Sequence, residues 1–223
     1  MNNKPIRNLE TERLYIKVPT MEEQYDLWNI LRDEKVNRYY FPTPDGIFEK
    51  YNLKKDNIKD LKEARGYFLE RLNDWNRQSK YLGNKIDAIN SGDNSQKYTW
   101  SIFLKDGTVI GQMTVQPNSE YPDNPSIRDV GWFIDPKYQG NRYGYEAARE
   151  VLRFMFEEVE IDKIITSASV ANPGSYKLME KLGFVRYGEK PFTYYDENDN
   201  ILNSYCYECD REMFLNKGKV KHI

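Results

Sequence analysis

A chain of 223 residues with 33 Lys plus Arg against 35 Asp plus Glu has room for one domain with a full hydrophobic core, and its near-neutral balance carries no electrostatic footprint for nucleic acid. A mean hydropathy of −0.85 and the lack of a long apolar run argue against a membrane-spanning helix, and the polar opening MNNKPIRNLE is unlike a secretory signal. A cytoplasmic monomer or homodimer with neither nucleic acid nor membrane as partner is expected.

In chain order, RLYIKVP (13–19) alternates as a strand, and Thr20 with Glu23 forms a capping box for a helix carrying Leu27, Trp28 and Leu31. YYFPTPDGIFEKYN (39–52) is aromatic and rich in turn residues. Ile58, Leu61, Ala64, Phe68, Leu72 and Trp75 predict a second helix, and the Gly, Asn, Ser and Asp of 79–97 predict an exposed loop. YTWSIFLKDGTVIGQMTVQ (98–116) reads as a hairpin turning at Asp106-Gly107, with Trp100, Ile102 and Leu104 on one side.

Val130, Trp132 and Ile134 alternate with Asp129, Gly131 and Phe133 as a further strand, which Pro136 stops. Ala147, Ala148, Val151, Leu152, Met155, Phe156 and Val159 predict an amphipathic helix of about four turns, and KIITSAS (163–169) a short strand. The unit strand, loop, helix, strand is expected to be a parallel crossover. In ANPGSYKLMEKLGF (171–184), Asn172 is the N-cap candidate of a helix opened by Pro173 and closed by Gly183. FTYYDENDNILNSYCYECD suggests a closing hairpin turning at Asp196 to Asn200. Its Cys206 and Cys209 are expected to be reduced thiols: three apart on a strand they face opposite sides, and the single histidine, His222, lies in the tail. No metal is expected.

The loop between strand and helix, DPKYQGNRYGYEAA, is where chemistry concentrates. A helix N-terminus offers unpaired N–H groups and a partial positive charge, so it suits an anion, most often phosphate. Glycines at 140 and 144 would let the backbone approach such a group, although loop glycines also serve merely to turn the chain. The dinucleotide G-x-G-x-x-G and the nucleotide G-x-x-x-x-G-K-[ST] patterns are both missing.

WFIDPKYQGNRYGYEAA, followed about thirty residues on by ANPGSYKLMEKLGF, resembles the GNAT superfamily of acyl-CoA N-acyltransferases, most closely its RimJ/RimL-like branch. The opening LETERLYIKV is similar to that branch as well. The resemblance covers residues 9 to about 210 of a single domain, 1–223. It implies an α/β (α+β) fold: a mixed sheet of about seven strands, antiparallel at the ends and parallel in the middle, flanked by helices. It also implies an N-acetyltransferase that moves an acetyl group from acetyl-CoA, used as a co-substrate, to a primary amine of a small molecule or a protein N-terminus. In that family a Q/R-x-x-G-x-G/A loop holds the coenzyme pyrophosphate. Carried over by position, the coenzyme site comprises Phe133, Ile134, Gln139, Gly140, Asn141, Arg142, Tyr143, Gly144, Tyr145 and Ser175, with Asn172 supporting the pantetheine arm.

Arg142 departs from the pattern, standing where the first motif glycine is expected. Either it is strained at positive φ, or it already lies in the first helical turn, where its guanidinium adds charge for phosphate; the second is favoured. Many members place a tyrosine acid where this chain has Met179. The resemblance instead implies Ser175 as donor to the departing sulfur, with Tyr176 as the neighbouring candidate. Asp129, Glu120 or Asp123 is expected to act as base. Segments 39–52 and 117–128 are expected to line the pocket of a cationic amine. Two other readings stand beside transfer: a coenzyme-binding module without catalysis, and a nucleotide- or phosphate-binding regulator.

Overall fold

Leu14 and Ile16 are fully buried while Lys17 is exposed, so the period-two pattern places one face of the strand Leu14–Lys17 (β2) on the core. The computed structural model describes residues 5–39, 51–54, 57–90, 97–195, 198 and 200–217. Around β2 they form an eight-stranded sheet with Leu9–Glu10 (β1), Tyr98–Leu104 (β3), Val109–Pro117 (β4), Ile127–Ile134 (β5), Lys163–Ser169 (β6), Val185–Tyr195 (β7) and Ile201–Asp210 (β8). The order is β1-β2-β3-β4-β5-β6-β8-β7, and β5 with β6 is the only parallel pair among the described residues. The mixed sheet is as expected, with one strand more than the seven anticipated.

Parity divides the sheet into two faces. Tyr98, Trp100, Ile102, Met113, Val115, Val130 and Ile134 join one core with the helices Tyr143–Arg153 (α5) and Pro173–Leu182 (α6). Phe133 points the other way, to Leu27 and Ile30 of Gln24–Arg32 (α1) and Val36 of Glu34–Asn37 (α2). Trp28 then packs on Leu61, Ala64, Phe68 and Leu72 of Ile58–Leu72 (α3).

The capping box at α1 is half formed. Glu23 accepts from the Thr20 N–H at 2.9 Å, but the Thr20 hydroxyl faces Glu22 N–H at 3.3 Å, and Glu23 also accepts from Ser101 at 2.6 Å. Two expectations fail in the next stretch. Trp75 does not extend α3, because Asp74 accepts from Arg77 N–H at 3.1 Å and caps a new helix, Trp75–Asn90 (α4). Residues 79–90 are therefore helical, not loop, and 91–96 lie outside the described residues. The hairpin turns as expected, with Gly107 at φ +92° and its N–H bonded to Leu104 at 3.0 Å.

Gly183 ends α6 at φ 106°, with the Phe184 N–H reaching Met179 C=O at 3.0 Å, the expected glycine stop. A further helix, Arg211–Lys217 (α7), follows the closing strands and was not foreseen; Asp210 caps it by accepting from Met213 N–H at 2.8 Å. Cys206 and Cys209 are buried thiols outside any disulfide. The expected turn at 196–200 and His222 fall largely or wholly outside the described residues.

Candidate active site

The parallel pairing of β5 with β6 runs over two residue pairs only, Ile127 with Lys163 and Arg128 with Ile164. Beyond Arg128 the strands diverge. Two side chains reach across instead: Thr166 donates to Val130 C=O at 3.0 Å, and Asn118 donates to Ile165 C=O at 2.9 Å. The wedge opens into a cleft of about 2360 Å³ lined by both strands and by residues from both faces of the sheet.

On one face the loop after β5 leads into α5. Gln139 turns back to donate to Ile134 C=O at 2.8 Å, and Asn141 donates to the carbonyls of Tyr138 and Gln139 at 3.2 and 3.3 Å. Gly140 adopts φ +80°, as loop closure requires. The first bond of α5 runs from Glu146 N–H to Arg142 C=O at 3.0 Å, and no side chain caps this helix. The N–H groups of Tyr143, Gly144 and Tyr145 are thus left without a helical partner at the positive end of the dipole. By contrast α6 is closed by Asn172, whose side chain accepts from Ser175 N–H at 3.2 Å.

Arg142 sits at φ 65°, ψ 10°, which corrects the favoured reading: it is not in the first helical turn but holds the left-handed conformation that a motif glycine would supply. Its guanidinium is exposed beside the cleft and makes no hydrogen bond or ion pair among the described residues. A non-glycine residue held there costs about 1–2 kcal/mol. Arg142→Gly is therefore expected to be more stable than Arg142→Ala by about 1 kcal/mol, a few degrees in Tm. Equal melting of the two variants would show that no strain resides there.

The loop is pinned by groups that sequence reading missed. Arg13 pairs with Glu146 at 2.6 Å, donates to Asn141 C=O at 3.2 Å and stacks over the Tyr143 ring at 4.7 Å; Thr11 donates to Glu146 at 2.5 Å. Burial opposes ionisation of Glu146, but the bonds from Thr11 and Arg13 outweigh it and hold the carboxyl below its ordinary value. The latch is intact at neutral pH and weakens as pH falls through that depressed value. The signal is present in LETERL, where Thr11 and Arg13 stand at the entry to β2.

The opposite face presents Gln112, Thr114 and Gln116, alternate residues of β4, with Asp129 paired beside Gln116. Burial pushes the Asp129 carboxyl up, against hydrogen bonds from Thr166, Val130 N–H and Gln116 that pull it down. The alternation QMTVQ, polar every second residue on a strand whose other face is core, was the available signal for this wall.

Of the expected site residues, Asp129, Phe133, Ile134, Gln139, Gly140, Arg142, Tyr143, Gly144, Tyr145, Asn172 and Ser175 line one cleft. Asn141 only shapes the loop. Tyr176 is not brought to the cleft; its ring packs edge-on against Tyr205 at 5.4 Å. The Ser175 hydroxyl has no partner among the described residues. Segment 117–128 does not line the cleft, and its Glu120 pairs instead with Lys190 at 3.2 Å. Of 39–52, Tyr39 lines the cleft and 40–50 lie outside the described residues.

The profile of the acetyltransferase (GNAT) domain family matches residues 13–185. An uncharacterized N-acetyltransferase, YnaD of Bacillus subtilis (strain 168), is 32% identical over 100 residues, 44% of this chain and 55% of that protein. The chain spans about half the length of YnaD and of YdaF, a putative ribosomal N-acetyltransferase of the same organism that is 25% identical over 116 residues, 52% of this chain and 54% of that protein. Among solved structures, the ribosomal-protein-S5-alanine acetyltransferase of Vibrio fischeri superposes with a TM-score of 0.67 at 15% identity, over 94% of this chain and 99% of that one. The spermidine N-acetyltransferase of Vibrio cholerae, in complex with CoA and spermine, gives 0.64 at 17%, over 92% and 100%.

Proposed function

The chain belongs to the acetyltransferase (GNAT) domain family, and on that premise we propose that it transfers an acetyl group from acetyl-CoA to a primary amine. The observation that carries this reading is the uncapped N-terminus of α5 opening beside the wedge between β5 and β6. Three free N–H groups and the exposed Arg142 guanidinium suit a pyrophosphate. The edge of β5 that β6 leaves beyond Arg128 suits an extended arm carrying amides, which a helix N-terminus alone would not select. The presence of CoA in the Vibrio cholerae spermidine N-acetyltransferase supports the same use of the fold. Two reduced thiols and near-neutral charge fit a cytoplasmic enzyme.

Bound there, acetyl-CoA supplies an activated thioester: the new C–N bond forms at its carbonyl carbon as the C–S bond breaks and the thiol departs. Of the two protons that the acceptor ammonium loses, Asp129 takes one and returns it to water, and the other ends on sulfur. A carboxyl raised by burial is suited to the first task, because its basicity lies closer to that of the working solution. Ser175, in the first turn of α6 with an unengaged hydroxyl on the cleft wall, donates a hydrogen bond to the departing sulfur.

Acetyl-CoA at about one hundred times its Kd is expected to stabilise the chain by roughly 2.7 kcal/mol, a rise of about 5–10 °C in Tm. ATP at the same concentration should do far less, and EDTA should change nothing. An equal shift with ATP would favour a nucleotide-binding regulator, and no shift with acetyl-CoA would end the proposal.

A further inference from the structure

Thr11 and Arg13 lie in the turn that joins β1 to β2, and that turn is fixed: Thr11 N–H donates to Leu14 C=O at 3.0 Å, and Leu14 N–H donates to the Thr11 hydroxyl at 3.1 Å. Leu14 itself is fully buried. From this anchor four donors converge on the Glu146 carboxylate: the Thr11 hydroxyl at 2.5 Å, the Arg13 backbone N–H at 3.0 Å, its Nε at 2.7 Å and its Nη2 at 2.6 Å. With the Arg13 side chain 44% exposed, the attraction of the pair adds little to overall stability. What the pair grips is the loop. A non-glycine residue persists at φ 65° only where its surroundings over-determine it. Arg13 reaches both sides of Arg142: its Nη1 donates to Asn141 C=O at 3.2 Å, on the peptide just before, and its guanidinium covers the Tyr143 ring at 4.7 Å, just after. The Glu146 it clamps gives its own N–H to Arg142 C=O at 3.0 Å. These residues also carry the uncapped start of α5.

We propose that Arg13 is a positioning residue for coenzyme binding: acting through Asn141, Tyr143 and Glu146, it holds residues 141–146 so that the N–H groups at the start of α5 converge on the pyrophosphate. The rigid hairpin supplies the fixed point that a strained loop lacks by itself. Arg13 also cancels the charge of Glu146, which otherwise stands in the first turn of α5 against an incoming anion. Grip and charge make opposite demands on Glu146, and that separates them. If charge alone mattered, removing the carboxylate would favour the anion; if the grip matters, removing it frees the loop. The inference rests on the transfer reading above, which supplies the coenzyme.

The test is the Kd of CoA, measured by calorimetry on the folded chain well below its Tm. Arg13→Met is expected to raise it about tenfold. Arg13→Lys keeps the charge but not the planar fork that serves Glu146 and Asn141 together, so its Kd is expected within about threefold of that of Arg13→Met. Glu146→Met is expected to weaken CoA about tenfold, although it removes a negative charge beside the site. The double variant Arg13→Met with Glu146→Met should lie within about threefold of either single one, because both remove the same device. An unchanged Kd in Arg13→Met, full affinity in Arg13→Lys, or tighter binding in Glu146→Met overturns the assignment. A latch that served stability alone would lower Tm and leave the Kd of the folded chain unchanged, which overturns it as well. Should Arg13→Met not fold, Arg13→Lys and Glu146→Met decide. If the unaltered chain does not bind CoA, the transfer reading falls first; if it binds CoA and the variants bind equally well, this inference alone falls.

Discussion

Replacing Asp129 by Asn is expected to lower kcat by about a hundred- to ten-thousandfold, the span for losing a general base, while leaving acetyl-CoA affinity nearly intact. The carboxyl lies on the face away from the α5 N-terminus, which in the proposed reaction is the side of the acceptor and not of the pyrophosphate. Its folded-state value is raised by burial. The acid limb of the pH–kcat/KM profile should therefore lie above the ordinary carboxylate range and vanish in the variant. Stability gives an independent readout with a fixed sign. A carboxyl whose folded value is raised is better tolerated protonated, so stability falls as pH rises through that value, and Asp129→Asn should melt at or above the parent temperature at neutral pH. A variant that is inactive and no less stable marks a functional carboxylate. One that loses activity only in proportion to lost structure would mean that Asp129 merely holds Thr166 and Gln116 in place.

What could be read from the sequence divides by the range of the interactions involved. The hairpin at Asp106-Gly107, the glycine stop at Gly183 and the Asn172 cap are local events within a few residues, and each was legible. The break at Asp74 is local too: a cap lies inside a continuing apolar stripe, and it ends the helix that the stripe alone would extend. The loop between β5 and α5 was legible because the physics of a helix N-terminus travels with the sequence. The conformation of Arg142 was not, since an arginine gives no sign of φ 65° until the chain must close onto Ile134 and Glu146. The latch of Arg13 on Glu146 spans 133 residues and the polar wall joins β4 to α3 and α4, so LETERL and the alternation of QMTVQ are visible in the sequence while the partners that long-range packing gives them are not.

Ser175→Ala is the variant that separates chemistry from packing on the coenzyme side. The hydroxyl lines the cleft and is unengaged, whereas the backbone N–H of the same residue is held by Asn172 at 3.2 Å. Removing the hydroxyl therefore leaves the cap of α6 in place, and a stability change of well under 1 kcal/mol is expected, below the cost of losing a cap. If the hydroxyl assists the leaving sulfur, kcat should fall about ten- to a thousandfold, with acetyl-CoA affinity nearly unchanged, because the donor matters most as charge develops on sulfur. Tyr176→Phe is the control. Its ring is committed to Tyr205 and lies off the cleft, and Met179 at the family's usual tyrosine position is buried, so neither of these two positions supplies a phenol in place of Ser175. Full turnover in Ser175→Ala beside an inactive Tyr176→Phe would reverse the assignment and require the Tyr176 ring to leave Tyr205 when acetyl-CoA binds. Full turnover in both would mean that neither side chain protonates the sulfur, and the role assigned to Ser175 would fall.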